Sequence, residues 1–295
     1  MTSVQTSPSG LSRLPRGFVD RAVEAALAED LGLAGDITTD ATVSADRLAR
    51  AVIAARKSGV VSGVEIAEAA FRALDASVTF EVEAADGSRV EAGEVIAIVS
   101  GHARAILTAE RVALNFMGRM SGIATLTRAY VDAVCGTRAK IVDTRKTTPG
   151  LRAFEKYAVR CGGGGNHRTG LFDAILIKDN HIVAAGGVAS ALKAARDRAG
   201  HMVKVEVEVD TLDQLREVLP LRPDAVLLDN MSIEQLREAV AITKGSALLE
   251  ASGGVNLDTV RGIAETGVDL ISVGALTHSS PVLDLGLDFS SPAAA

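Results

Sequence analysis

From about residue 138 onward the chain alternates short apolar runs with amphipathic ones. AKIVDT, DAILIK, MVKVEVEV, DAVLLD, SALLEA and DLISVG are interleaved with GVASALKAARDR, LDQLREVL, SIEQLREAVAIT and NLDTVRGIAETG. The first kind has the length and branching of buried strands, the second the apolar periodicity of helices. Each strand then returns to its sheet through a helical crossover, so the sheet is parallel and covered by helices. Six or more such units close most economically as a TIM-like α/β barrel, complete or open, with a doubly wound open sheet as the competing architecture. In both, ligands gather at the carboxyl ends of the strands.

The first hundred residues have a different texture. Residues 1–16 are polar and rich in Pro and Ser, a loose tail without the apolar core of a signal peptide. GFVDRAVEAALAEDL puts Phe18, Val19, Ala22, Val23, Ala26 and Leu27 on one helical face, and Gly32 ends it. GDITTDATV reads as a turn into extended chain, ARAVIAAR and VTFEVE as strands around the helix VEIAEAAFRAL. DGSRVEAGEVIAIVSG reads as two short strands joined by a turn at residues 91–94. Residues 103 to about 134 are helical, with a Gly/Ser break at 120–122. The expected division is a tail (1–16), an α/β sandwich of α+β character (17–118, completed by 276–295) and the barrel (119–275).

Charges fall where buried strands should be apolar. In VKVEVEV, residues 203–209, a period of two gives the four valines one face, which must cover itself with helices, and turns Lys204, Glu206 and Glu208 inward. Unpaired buried ions are costly, so such a row persists only if paired or used. Lys204 and Glu206 suit a structural interior pair, whereas Glu208, nearest the carboxyl end, is the functional candidate. The same parity turns Ala174, Leu176 and Lys178 inward in AILIK, and Ala225, Leu227 and Asp229 in AVLLD. Asp229 would equally suit the cap of the helix that DNMSIEQ opens. Ser252, Gly253 and Gly254 after LLEA, and Val273, Gly274 and Ala275 after DLIS, are small enough to let backbone N–H groups approach a phosphate.

Residues 143–181 gather Arg145, Lys146, Arg152, Lys156, Arg160, His167, Arg168, Lys178 and His181 on a chain of net charge −6. A cationic pocket on an anionic protein selects a small polyanion, and two Tyr with no Trp leave little on which to stack bases, which argues against nucleic acid. CGGGG at 161–165 fits no phosphate-binding fingerprint and reads as a hinge that frees His167 and Arg168. Arg152, Lys156 and Arg160 share a helix and suit a solvated or interface face. No uncharged apolar run approaches the ~18 residues of a membrane helix. Cys135 and Cys161 lie far apart and indicate neither a disulfide framework nor zinc, so a reducing cytoplasm fits.

Taken in order, EDLGLAGDITT, ERVALNFMGRMSGIAT, DTRKTTPGLR, GGGGNHRTGLFDAILIKDNH, KVEVEV, LLDNM, EASGG and SVGALTHS resemble the quinolinate phosphoribosyltransferase family over nearly the whole chain. The resemblance implies an N-terminal α/β sandwich plus an open α/β barrel, paired as a homodimer whose active site uses both subunits, with assembly beyond the dimer left open. It implies transfer of phosphoribosyl from phosphoribosyl pyrophosphate to quinolinate with Mg²⁺, giving nicotinate mononucleotide, pyrophosphate and CO₂ in de novo NAD synthesis. Arg145, His167, Arg168 and Lys178 match the family's quinolinate-binding cations, with Thr144 beside them. Lys146 matches a lysine on the diphosphate side and joins Glu208 and Asp229 as the catalytic set. Arg111 matches the arginine contributed across the dimer interface. Glu208 and Asp229 match carboxylates that hold the ribose hydroxyls and Mg²⁺, directly or indirectly, and Ser252, Gly253, Gly254 and Gly274 match the 5-phosphate loops. The chemistry agrees, since polyanions of this kind need clustered Arg and Lys together with a metal.

Two other readings compete. A paralogous phosphoribosyltransferase-like family linked to molybdenum transport would take a different acceptor. Alternatively, DGSRVEAGEVIAIVSG resembles a lipoyl or biotinyl carrier hairpin, although the tip holds Glu91, Ala92, Gly93 and Glu94 where such a carrier has a lysine.

Overall fold

A computed structural model describes residues 11–289; residues 1–10 of the expected tail and residues 290–295 lie outside the described part. The chain forms two compact units, one of residues up to 126 with 153–163 and 280 onward, the other of residues 127–152 with 164–279.

In the N-terminal unit, α1 (Arg16–Leu31) buries Val19, Val23 and Leu27 along one face. The segment expected as a turn is instead a helix, α2 (Ile37–Thr42). The Asp36 carboxylate accepts from the Thr39 N–H at 2.9 Å and the Thr39 hydroxyl at 2.5 Å, a cap strong enough to outweigh the β-branched residues that follow. Then come β1 (Leu48–Ala55), β2 (Gly59–Val60), α3 (Val64–Leu74), β3 (Thr79–Val82), β4 (Arg89–Val90) and β5 (Val95–His102). The main antiparallel sheet runs in the order C-terminal strand (Leu285–Phe289), β1, β5, β3. β4 pairs with β2 and β5 with β1 and β3, so the two strands flanking residues 91–94 do not form a hairpin, and the carrier reading falls with it.

α4 (Ala103–Ala133) runs without interruption through residues 120–122, where a break was expected. Gly122 serves close approach instead: a Cβ there would stand 1.9 Å from the Pro281 carbonyl oxygen. The helix thus carries the chain past the expected boundary at residue 118, and the compact units divide after residue 126. In α5 (Arg152–Cys161), where Arg152, Lys156 and Arg160 were expected on a solvated or interface face, Lys156 is buried, as is its neighbour Glu155.

The second unit contains β6 (Lys140–Val142), β7 (Ile175–Ile177), β8 (Val205–Val209), β9 (Ala225–Asp229), β10 (Leu248–Ser252) and β11 (Leu270–Ser272) in one parallel sheet of order β6-β11-β10-β9-β8-β7. From β7 to β11 each strand adds beside its predecessor with no reversal, which excludes a doubly wound sheet. β6 sits beyond β11, so the circle is a TIM-like barrel left open at the seam between β6 and β7. Gly165 lies beside β6, its N–H donating to Ile141 O at 2.8 Å and its carbonyl accepting from the Asp143 N–H at 3.2 Å. The end of the glycine run is therefore paired with the sheet edge at Gly165. In β8 the valines are buried and Glu206 and Glu208 turn inward as the parity requires. Lys204, which precedes the strand, is exposed and bonds Asp224 at 2.7 Å, so the interior Lys204/Glu206 pair does not form.

Candidate active site

A cavity of about 740 Å³ opens at the carboxyl ends of the barrel strands. It is lined by Thr144, Arg145, Lys146, His167, Arg168, Lys178, Glu208, Asp229, Ser252, Gly253, Gly254 and Gly274, which are all of the expected site residues except Arg111. Arg111 is exposed on α4 in the other unit. Asn230, Glu250 and His278 also line the cavity. Of these, Glu250 was readable from strand parity, since in LLEAS it shares the inward face with Ser252. Nothing in the pattern around Asn230 announced it.

The cations come from three places along the chain. The loop after β6 carries Arg145 and Lys146, both exposed, whose side chains bond no protein group among the described residues. The loop is held by its backbone: the Lys146 N–H donates to Thr144 Oγ1 at 3.0 Å, and Thr277 Oγ1 donates to the Lys146 carbonyl at 2.6 Å. Gly274 completes the fit, because a Cβ there would lie 3.0 Å from Lys146 Cδ and 3.2 Å from His278 Nε2. Arg168 donates from Nη1 to Ala174 O at 3.2 Å, while its buried Nε has no partner. Burial, and then the nearby Arg145 charge, lower its affinity for its proton, so the site is primed for an anion. Lys178, at the tip of β7, ion-pairs with Glu208 from β8.

His167 is not left reaching for a ligand, as the hinge reading expected. Its N–H donates to Asp143 Oδ1 at 2.9 Å, and its Nδ1 accepts from the Arg168 N–H at 2.8 Å. Because a backbone N–H can only donate, Nδ1 is unprotonated and the ring proton sits on Nε2, 3.0 Å from Glu206 Oε2. Glu250 Oε2 lies 3.7 Å from the same nitrogen. Burial, reinforced by the neighbouring Glu206 charge and opposed by His167, pushes the Glu250 carboxyl up to about 7. His167, Glu206 and Glu250 bring a donor atom each within 4.8 Å of one another. The imidazole proton already faces Glu206, so the group is an internal hydrogen-bonded floor under Arg168 rather than a set of open metal ligands.

The opposite rim holds Asp229, at the end of β9, and the glycine loop after β10. Asp229 does not cap the following helix, a role taken by Ser232, whose side chain accepts from the Gln235 N–H. Gly253 and Gly254 have φ values of +93° and +62°, a left-handed turn of backbone that costs little only in glycine.

An open parallel barrel whose strand tips face cations across a cavity from carboxylates and a glycine loop defines an enzyme site for a small, multiply charged anion. Family comparison agrees with that class. Residues 36–121 match the model described as quinolinate phosphoribosyl transferase, N-terminal domain, and residues 123–288 the corresponding C-terminal domain. The chain is 49% identical over 273 residues to a nicotinate-nucleotide pyrophosphorylase (carboxylating) of Mycobacterium leprae, covering 90% of this chain and 95% of that one. A probable nicotinate-nucleotide pyrophosphorylase (carboxylating) of Bacillus subtilis is 45% identical over 260 residues, covering 88% and 89%. The solved nicotinate-nucleotide pyrophosphorylase from Francisella tularensis superposes with a TM-score of 0.91 at 41% identity, covering 96% of this chain and 99% of that one. The chain belongs to the quinolinate phosphoribosyltransferase family, as the sequence motifs implied. The paralogous reading draws no support from these relatives.

Proposed function

We propose that the protein transfers phosphoribosyl from phosphoribosyl pyrophosphate to quinolinate with loss of CO₂, giving nicotinate mononucleotide and pyrophosphate for NAD synthesis. One observation carries this reading: on a chain of net charge −6, a single cavity sets Arg145, Lys146, Arg168 and Lys178 against Glu208, Asp229 and the glycine loop at 252–254. Arg145 and Arg168 hold the two quinolinate carboxylates, with His167 fixing the Arg168 backbone from below, and Lys178 completes that face. Glu208 and Asp229 hold the ribose hydroxyls, the loop at 252–254 with Gly274 holds the 5-phosphate, and Lys146 faces the diphosphate.

Glu208 and Asp229 also suit Mg²⁺. Both offer hard oxygen ligands at the cavity wall, and Glu208 Oε1 and Asp229 Oδ1 have no protein partner among the described residues. When bound, the ion neutralises diphosphate charge. In the reaction the pyridine nitrogen attacks the anomeric carbon while the C–O bond to pyrophosphate breaks. Positioning and electrostatics supply the catalysis, and no covalent enzyme nucleophile is required. The N-alkylated ring then accepts the electron pair of the C2–carboxylate bond, CO₂ departs, and C2 takes up a proton.

The reading includes a cytoplasmic homodimer in which Arg111 of each chain reaches the cavity of the other. The exposure of Arg111, with two free cysteines, supports it. No described helix is long and apolar enough to cross a membrane. The test is turnover of quinolinate against nicotinate with phosphoribosyl pyrophosphate, before and after Arg145→Ala. Quinolinate is turned over and the monoacid rejected, and the variant loses at least about 100-fold in kcat/KM for quinolinate. An unchanged kcat/KM removes Arg145 from the site, and preference for nicotinate overturns the reading.

A further inference from the structure

Asn230 is the first residue beyond β9, and it is one of three non-glycine residues with positive φ among those described, at +53°. Asparagine tolerates this left-handed conformation better than most residues, but a purpose is expected where it occurs beside a cavity. Three contacts supply one. Its N–H donates to the Ser252 carbonyl at 2.9 Å, tying the end of β9 to the start of the glycine loop. Its Nδ2 donates to Asp229 Oδ2 at 2.7 Å, which fixes the carboxylate plane and leaves Oδ1 for the cavity. Its Oδ1 fills the notch left by Gly253, where a Cβ would stand only 2.1 Å away.

One side chain thus touches both halves of the rim that faces the phosphoribosyl donor, while among the described residues no hydrogen bond or ion pair joins it to Arg145, Arg168 or Lys178. We infer that Asn230 is a positioning residue for the phosphoribosyl donor, locking Asp229 and the Gly253 turn into one arrangement that grips ribose and 5-phosphate together. The inference rests on the function proposed above. It assigns to Asn230 the registry between two ligand-binding groups, not contact with the reacting atoms.

The test is calorimetric binding of phosphoribosyl pyrophosphate with Mg²⁺, and separately of quinolinate, to the full-length protein. The variants are Asn230→Gly, which keeps the left-handed backbone and removes the amide, and Asn230→Asp, which keeps the shape and sets a second carboxylate against Asp229. Loss of one hydrogen bond to a charged group weakens donor binding about tenfold in Asn230→Gly, and by more in Asn230→Asp. Quinolinate binding stays within about twofold and the melting temperature stays near that of the wild type. A Gly253→Ala substitution also weakens donor binding. In the double variant with Asn230→Gly the losses fall short of their sum, because the notch has been vacated. Equal weakening of both ligands, or of neither, in a folded variant overturns the inference while leaving the proposed reaction intact. Failure of the wild-type protein to bind phosphoribosyl pyrophosphate overturns both.

Discussion

The two units handle buried charge in opposite ways. In the N-terminal unit, Glu155 is 1% exposed and meets Arg119 at 2.7 Å, and Arg119 also reaches the Ser280 hydroxyl and carbonyl at 3.3 Å. Nearby, Asp86 accepts from the Val64 N–H at 3.0 Å and the Tyr157 hydroxyl at 2.7 Å. Burial pushes both the Asp86 carboxyl and the Tyr157 phenol up. In the barrel, by contrast, two buried carboxylate oxygens, Glu206 Oε1 and Glu250 Oε1, have no partner among the described residues, while an unmatched guanidinium nitrogen occurs in each unit, Arg160 Nε in the first and Arg168 Nε in the second. A fully paired carboxylate recovers its desolvation cost as hydrogen bonds, whereas an oxygen left unpaired carries that cost in the folded chain. The first arrangement holds a fold together, and the second is a cost kept at the base of the site.

The largest test of this contrast removes one cation from each side. Arg119→Ala removes the arginine that meets a buried carboxylate at 2.7 Å and lowers stability by about 3 kcal/mol, several degrees in melting temperature. Lys178→Ala instead leaves Glu208 beside an open cavity. The melting temperature moves by less than half as much, while kcat/KM for quinolinate falls by about 100-fold. Thermal scans and steady-state kinetics on both variants decide the matter, and equal losses of stability would erase the distinction.

How much of this was legible in the sequence follows the same line. Strand parity read from VKVEVEV, AILIK and AVLLD placed Glu208, Lys178 and Asp229 at the cavity, because a period of two leaves no freedom once one face is apolar. What parity cannot read is pairing in space. Lys204 looked like a partner for Glu206 by proximity, yet it lies outside the strand and pairs with Asp224, and the real partner of Glu206, His167, comes from a loop 39 residues away. Local propensity failed where a single contact overrode it, as when Asp36 capped ITTDAT into a helix and Pro281 turned Gly122 from a break into a contact point. Lys156 was misjudged because a charged residue on a helix is ordinarily solvated, and burial is a tertiary property.

The barrel's open network also predicts a pH signature. The Glu250 carboxyl holds its proton up to about 7 in the folded chain, above its ordinary 4.5, chiefly because it is buried and then because Glu206 stands beside it. His167 and Asp143 are the other charged or titratable groups acting on it. The unfolded chain therefore releases this proton first as pH rises, so stability falls between about pH 4.5 and 7 and levels off above. Glu250→Gln removes the titration. Its melting temperature exceeds the wild type's by a few degrees at pH 8 and matches it at pH 5. The same gain at both pH values would show that packing, not ionisation, sets the difference.

The smallest effect belongs to the closed network, where charge itself is dispensable. Asp86→Asn keeps a carbonyl oxygen for the Val64 N–H and turns an amide donor toward the Tyr157 oxygen, which can accept as readily as donate. Both contacts are kept although the phenolic proton loses its carboxylate acceptor, so the change costs about 1 kcal/mol, whereas Asp86→Ala removes both acceptors and costs about 2 kcal/mol or more. Denaturant titration of the two variants measures the gap between them. A loss in Asp86→Asn as large as in Asp86→Ala would mean that the charge is needed after all, and that the N-terminal network is no more self-sufficient than the floor of the barrel.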